Sequence, residues 1–205
     1  MKVNKFFCSA FLALLGFSAT AQAASLLTAS AERATAGERP ATASIANVVV
    51  RAVNKNDLNY LDSCMRDLNI PQGAYERLFR VVQLPRLRNG QLWYFVRPAL
   101  NPYCQAFYDA NGFRHWLVST TGAAGAVNAG AYQVRYTGLA SDFRVFNTLT
   151  NGYYDIAASN CTAAECFNTQ LKYVGNRYAA AQCSETRFSG GSGNDVETVV
   201  ACRSR

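Results

Sequence analysis

The residues able to do chemistry in this 205-residue chain are seven cysteines, one histidine and thirteen acids. Cys8 falls in an apolar N-terminal stretch. The other six, Cys64, Cys104, Cys161, Cys166, Cys183 and Cys202, are an even set with no C-x-x-C pair, since Cys161 and Cys166 are five apart. Tetrahedral zinc prefers close pairs, whereas an even set in an oxidising compartment reads as disulfides. His115 sits in Phe113-Arg114-His115-Trp116-Leu117, on the strand face of Phe113 and Leu117, with no nucleophile or carboxylate beside it in sequence. A catalytic dyad needs such a neighbour, so a packed sheet histidine is expected. No metal site and no cofactor is expected.

Paired carboxylates flanking a cleft are the remaining route to catalysis, as in glycan hydrolysis. Asp109, Asp142 and Asp155 are the acids that a β scaffold would orient. Asp109 and Asp142 stand where aspartate commonly bonds its own backbone. Asp155, inside Tyr153-Tyr154-Asp155-Ile156, is expected to be buried and held by turn amides or an arginine, because a buried carboxylate needs a partner. Ser189 to Asp195 is glycine-rich but lacks the G-K-[ST] ending of a phosphate cradle, so it reads as a hairpin loop. No catalytic residue is assigned.

The elements that must position these groups follow from pattern. Residues 1–23 have a short basic start at Lys2 and Lys5, an apolar run from Phe6 to Phe17 and a small-residue end at Ala21-Gln22-Ala23. This is the layout of a secretory signal peptide, too short for a permanent span. Residues 24–46 are rich in Ala, Ser and Thr and are expected to form a flexible tether. Residues 47–205 are expected to form a single secreted domain. Val48 to Val50 is either a first strand or a helix lead-in. Asn56 or Asp57 caps a helix carrying Leu58, Leu61, Met65 and Leu68 at three- and four-residue spacing, ending before Pro71. From Gln91 onward the chain reads as antiparallel strands: Gln91–Val96, Tyr103–Asp109, Phe113–Ser119, Tyr132–Tyr136, Phe143–Phe146, Tyr153–Ala157, Phe167–Tyr173, Arg177–Cys183 and Val196–Arg203. Ala110-Asn111-Gly112, Asn151-Gly152 and Gly175-Asn176 are turns, and residues 120–130 a flexible connection. A two-residue turn at Gly175-Asn176 places Tyr173 opposite Tyr178 and Cys166 opposite Glu185. Cys166 and Cys183 are then only diagonal neighbours, which favours Cys161–Cys166. The final strand brings Cys202 near Cys183, and elimination leaves Cys64 with Cys104. The expected fold class is therefore α+β: an N-terminal helical part packed on an antiparallel sheet, linked by disulfides.

Charge and aromatics suggest binding. Losing Lys2 and Lys5 lowers a net charge of +7 to +5, a basic balance that favours an anionic partner at long range. Adjacent aromatics on a strand point to opposite faces, so one of each pair is a candidate for exposure. Trp93, Arg97, Arg114, Trp116, Arg135 and Tyr154 are accordingly the candidate binding residues.

Asn151-Gly152-Tyr153-Tyr154-Asp155-Ile156 followed by Tyr173-Val174-Gly175-Asn176-Arg177-Tyr178 resembles a pattern in small secreted bacterial β domains of unassigned activity. The resemblance covers about residues 143–180, implies an antiparallel envelope domain and carries over no catalytic residue. The combined expectation is a periplasmic or extracellular non-enzymatic binding protein, of inhibitor, immunity or adhesion type. Its partner is expected to be another envelope or secreted protein or an anionic glycan, with no specific nucleic acid and no transmembrane segment after leader removal. The alternatives are an envelope glycan or peptidoglycan hydrolase using paired carboxylates, and a structural envelope subunit.

Overall fold

A computed structural model describes residues 23–53, 55–110, 112–121, 132–189 and 195–202. The leader, Asn111, most of the 120–130 connection and the glycines of the last loop lie outside the described residues. Among the described residues, twelve strands form two antiparallel sheets. The first sheet, in the order β1 (Ser25–Ser30), β8 (Asp142–Thr150), β9 (Tyr153–Cys161), β10 (Glu165–Val174), β11 (Arg177–Arg187) and β12 (Val196–Val200), is mostly C-terminal. The second runs β2 (Arg39–Pro40), β3 (Phe79–Gln83), β4 (Trp93–Pro98), β6 (Gly112–Thr120), with β5 (Tyr108–Asp109) and β7 (Tyr132–Ala140) both paired to β6. The helices are α1 (Ala43–Arg51) and α2 (Lys55–Asp67).

The expected α+β class is overturned. Among the described residues, strand accounts for 52% and helix for 17%, with two sheets and only two short helices. The physical reason lies chiefly in residues 24–46, whose short strands carry no run of alternating large apolar and polar side chains. β4, expected within Gln91–Val96, is buried along its whole length because both faces of the second sheet are covered. β1 uses small residues, with Leu27 and Ala29 inward, and it pairs with β8 from Ser25↔Phe146 to Ser30↔Asp142. Residues 24–46, expected as a flexible tether, thus carry β1, β2 and the first residues of α1.

Two hydrophobic clusters explain the layering. Ile45, Val49, Leu61 and Met65 of the helices join Phe79, Val96, Trp116 and Val118 on one face of the second sheet. The opposite face, with Trp93, Phe95, Phe113 and Leu117, meets Phe143, Val145, Tyr154 and Ile156 of the first sheet. The chain crosses between sheets at Ser141, the single residue separating β7 from β8. Its amide donates to Ser159 O at 2.9 Å, its carbonyl accepts from Ala31, and its hydroxyl accepts from the Cys161 amide at 2.8 Å. A corner with every polar group satisfied needs no loop.

Local signals account for the helix ends. Thr42 caps α1 by accepting from the Ile45 amide. α2 carries Leu58, Leu61 and Met65 as their spacing predicts, but it starts at Lys55, so the expected caps Asn56 and Asp57 lie inside it and Leu68 lies just past its end. It closes with Asn69 at φ 51°, the Ile70 amide reaching Met65 O at 2.8 Å and the Asn69 amide reaching Arg66 O at 3.1 Å. That is a Schellman ending, with Pro71 beyond it.

All three expected disulfides form: Cys64–Cys104, Cys161–Cys166 and Cys183–Cys202. The β10–β11 hairpin has Tyr173 opposite Tyr178, as its turn dictates, but a register shift after Gln170 puts Cys166 opposite Thr186 instead of Glu185. An extra residue on one strand of a pair produces such a slip. The expected Tyr103–Asp109 strand shrinks to β5, preceded by a 3-10 turn over Gln105–Phe107. Gly112 has φ 139°, and a Cβ there would lie 2.0 Å from Ala140 O, so β5–β6 requires glycine at that point. Among the described residues no helix is long and apolar enough to cross a membrane.

Candidate functional site

The strand faces decide which predicted site residues reach solvent. Trp93, Arg97 and Trp116 are fully buried and Tyr154 nearly so, because sheet and helices cover both faces of the strands that carry the first three. Trp93 packs edge-on against Tyr153 and Tyr154 at 5.4 and 5.8 Å, while Trp116 meets Phe79 and Phe107 on the helix side. The Tyr154 hydroxyl donates to Pro85 O at 2.6 Å. Arg135 donates to Ser119 Oγ at 2.9 Å and lies over the Tyr153 ring at 5.5 Å. These residues support the fold and do not gather into one patch. Of the six, Arg114 lines a cleft beside α2 and Tyr154 lines a second groove.

Arg97 acts as an internal clamp. Its guanidinium donates to the carbonyls of Ser30, Ala31, Arg33 and Pro98 and to Thr35 Oγ1, and it stacks 4.8 Å from the Phe113 ring. Residues 30–35 are thereby fastened over the end of β4, the buried charge being matched by carbonyl dipoles.

His115 is the packed sheet histidine its flanking residues suggest. It lies among Phe95, Phe113, Tyr136 and Phe143, with Nδ1 3.1 Å from Phe113 O and Nε2 without a hydrogen-bond partner. Burial drives its pKa down to about 3, and the Arg97 charge acts in the same direction against the opposing Phe113 hydrogen bond. The ring is neutral at pH 7 and reaches no cleft. Asp155 is also buried, with Oδ1 accepting from the Thr150 hydroxyl at 2.6 Å. The expected backbone or arginine partner is thus a threonine at the β8–β9 turn. The nearby Tyr178 phenol is raised well above 10, first by burial and then by the Asp155 carboxylate. Among the described residues no group of three or more His, Cys, Asp and Glu could hold a metal ion.

A concavity of about 740 Å³ lies between α2 and the segment 103–109, with Arg114 and Leu139 on its remaining wall. α2 supplies Asp57, Tyr60 and Asp67, and the facing segment supplies Tyr103, Tyr108 and Asp109. The Cys64–Cys104 bond ties these two walls together. Arg114 Nη2 pairs with Asp57 Oδ2 at 3.0 Å across the end of the cleft. Tyr60 is 67% exposed and Tyr103 51% exposed, values unusual for large aromatics. Tyr103 rests against Tyr108 at 4.7 Å, and burial raises the Tyr108 phenol so that it stays neutral. The lining acids outnumber the single arginine by three to one, so the cleft is negative although the protein is basic.

Sequence reasoning found Arg114 but passed over Tyr60 and Tyr103. A signal was present. Tyr60 stands one helical turn before Cys64 and Tyr103 directly before Cys104, so the expected Cys64–Cys104 bond already made them neighbours across a gap.

Comparison with known proteins finds no matching family model, no matching curated protein and no matching solved structure.

Proposed function

We propose that this protein is a disulfide-linked, non-enzymatic binding protein of the periplasm or extracellular space. In this reading its α2 cleft grips another secreted or envelope protein through a projecting lysine or arginine. The observation that carries the reading is the pairing of two exposed tyrosines with three carboxylates inside one covalently stapled cleft. Tyrosine faces attract cations, carboxylates complete their hydrogen bonding, and tyrosines in pockets are frequent energetic anchors of interfaces. The disulfides support an oxidising compartment, and the resemblance of residues 143–180 to small secreted β domains agrees with it. An anionic partner, expected from net charge, does not complement this cleft; a basic segment does.

The test is a peptide library presenting Arg, Lys, Gln or Glu at each position, screened against the disulfide-bonded protein. Selection of Arg or Lys, weakened by salt and lost in Tyr60→Ala and in Asp67→Asn/Asp109→Asn, supports the reading. Selection indifferent to charge, or unchanged by these substitutions, overturns it.

A further inference from the structure

A second groove, of about 440 Å³, lies at the other end of β6 from Arg114, where the β3–β4 connection meets the β8–β9 hairpin. Its construction explains its chemistry. In Leu84-Pro85-Arg86-Leu87-Arg88 the two leucines are buried in the inter-sheet cluster, and the two arginines are left outside. Hydrogen bonds from the Leu84 amide to Trp93 O, from Leu87 to Gln91 O and from Gly90 to Leu87 O hold this connection in shape. The Tyr154 hydroxyl pins it to β9 through Pro85 O. On the facing wall, Asn151 and Gly152 at φ 53° and 80° form a tight hairpin turn, which sets Leu149 opposite Tyr154.

The lining combines apolar surface with unopposed positive charge. Leu26 and Leu149 are 40% and 47% exposed, and Leu87 and Pro85 continue the apolar floor. No carboxylate lines the groove, and among the described residues neither Arg86 nor Arg88 takes part in a salt bridge. The leucines line a concavity, which favours enclosing a single chain over insertion into a bilayer surface.

We propose that this groove binds a monomeric anionic amphiphile: one acyl chain along Leu26, Leu87 and Leu149, with a carboxylate or phosphate headgroup held by Arg86 and Arg88. Apolar grooves of this volume rimmed by a few polar groups are ordinary small-ligand sites, and arginine forks match carboxylate and phosphate oxygens. The site accounts for the anionic preference expected from net charge. It does not depend on the α2 cleft.

The experiment titrates octanoate, octyl phosphate and octanol, below micelle formation, into the disulfide-bonded protein and follows backbone amide shifts by NMR. Saturable shifts at Leu87 and Leu149 with both anions, and affinity for octanol at least about tenfold weaker, are expected. Arg86→Gln/Arg88→Gln should reduce octanoate to the octanol level. Leu149→Asn should weaken all three ligands, while Tyr60→Ala leaves them unchanged. Equal affinity for octanol, insensitivity to the arginine substitutions, absence of saturable shifts, or binding seen only with phosphatidylglycerol vesicles would overturn the proposal.

Discussion

The two concavities differ in charge, in lining and in how their walls are held. The α2 cleft is acidic and tyrosine-lined, and its walls are joined by a disulfide and an ion pair. The groove at the far end of β6 is basic and leucine-lined, and its walls are held by buried leucines, backbone hydrogen bonds and a tight turn. The first wall is a short helix outside the inter-sheet core, which covalent linkage fixes. The second is an extension of the sheets themselves and needs no crosslink. One basic protein therefore carries two concavities of opposite charge, which its net charge does not reveal.

Several changes separate the two regions. Arg97→Ala should act most strongly, because it leaves the carbonyls of residues 30–35 unsatisfied and opens a cavity beside Phe113. A loss of about 3 kcal/mol or more in urea unfolding is expected, and a change below about 1 kcal/mol would remove Arg97 from its role as a clamp. Next, Cys64→Ser/Cys104→Ser should destabilise by about 2–4 kcal/mol and abolish binding at the α2 cleft while sparing the groove. Those cysteines are separated by 40 residues and Cys161 and Cys166 by 5, so opening the shorter loop should cost about 2 kcal/mol less. Equal losses would show that loop entropy is not what the staple controls.

His115 yields a pH dependence that belongs to the core and to neither cleft. Its folded pKa of about 3 lies below the ordinary 6.5, so between these values the unfolded chain binds the extra proton. Its contribution is complete above about pH 6.5 and declines as pH falls toward 3, by on the order of 3 kcal/mol at pH 4. His115→Phe should flatten that decline in denaturant midpoints measured from pH 7 to 4; an unchanged slope would assign it to other groups. The smallest effect on stability is expected for Tyr60→Ala, within about 0.5 kcal/mol for a surface side chain. Its binding loss at the α2 cleft should nevertheless reach tenfold or more.

Much of the scaffold was legible because local rules held. The spacing of Leu58, Leu61, Met65 and Leu68 located α2, the turn at Gly175-Asn176 set Tyr173 against Tyr178, and hairpin geometry favoured Cys161–Cys166 and Cys183–Cys202, leaving Cys64–Cys104 by elimination. The balance of strand and helix was not legible. The burial of Trp93, Arg97 and Trp116 depends on covers above and below one sheet, which no single strand records. The register slip after Gln170 arises from one unpaired residue that alternation does not mark. Both concavities join segments far apart in sequence, so Tyr60 with Tyr103, and Leu26 with Leu149, become neighbours only when the fold closes.

The most direct measurement replaces Tyr60 with the photo-crosslinker p-benzoylphenylalanine, and Val199 likewise as an exposed control outside both concavities, and maps adducts formed with extracytoplasmic extract by mass spectrometry. A single basic segment crosslinked from position 60, absent from position 199 and suppressed by added salt, is the predicted result. Identical adducts from both positions, or an acidic segment at position 60, would contradict the assignment of the α2 cleft.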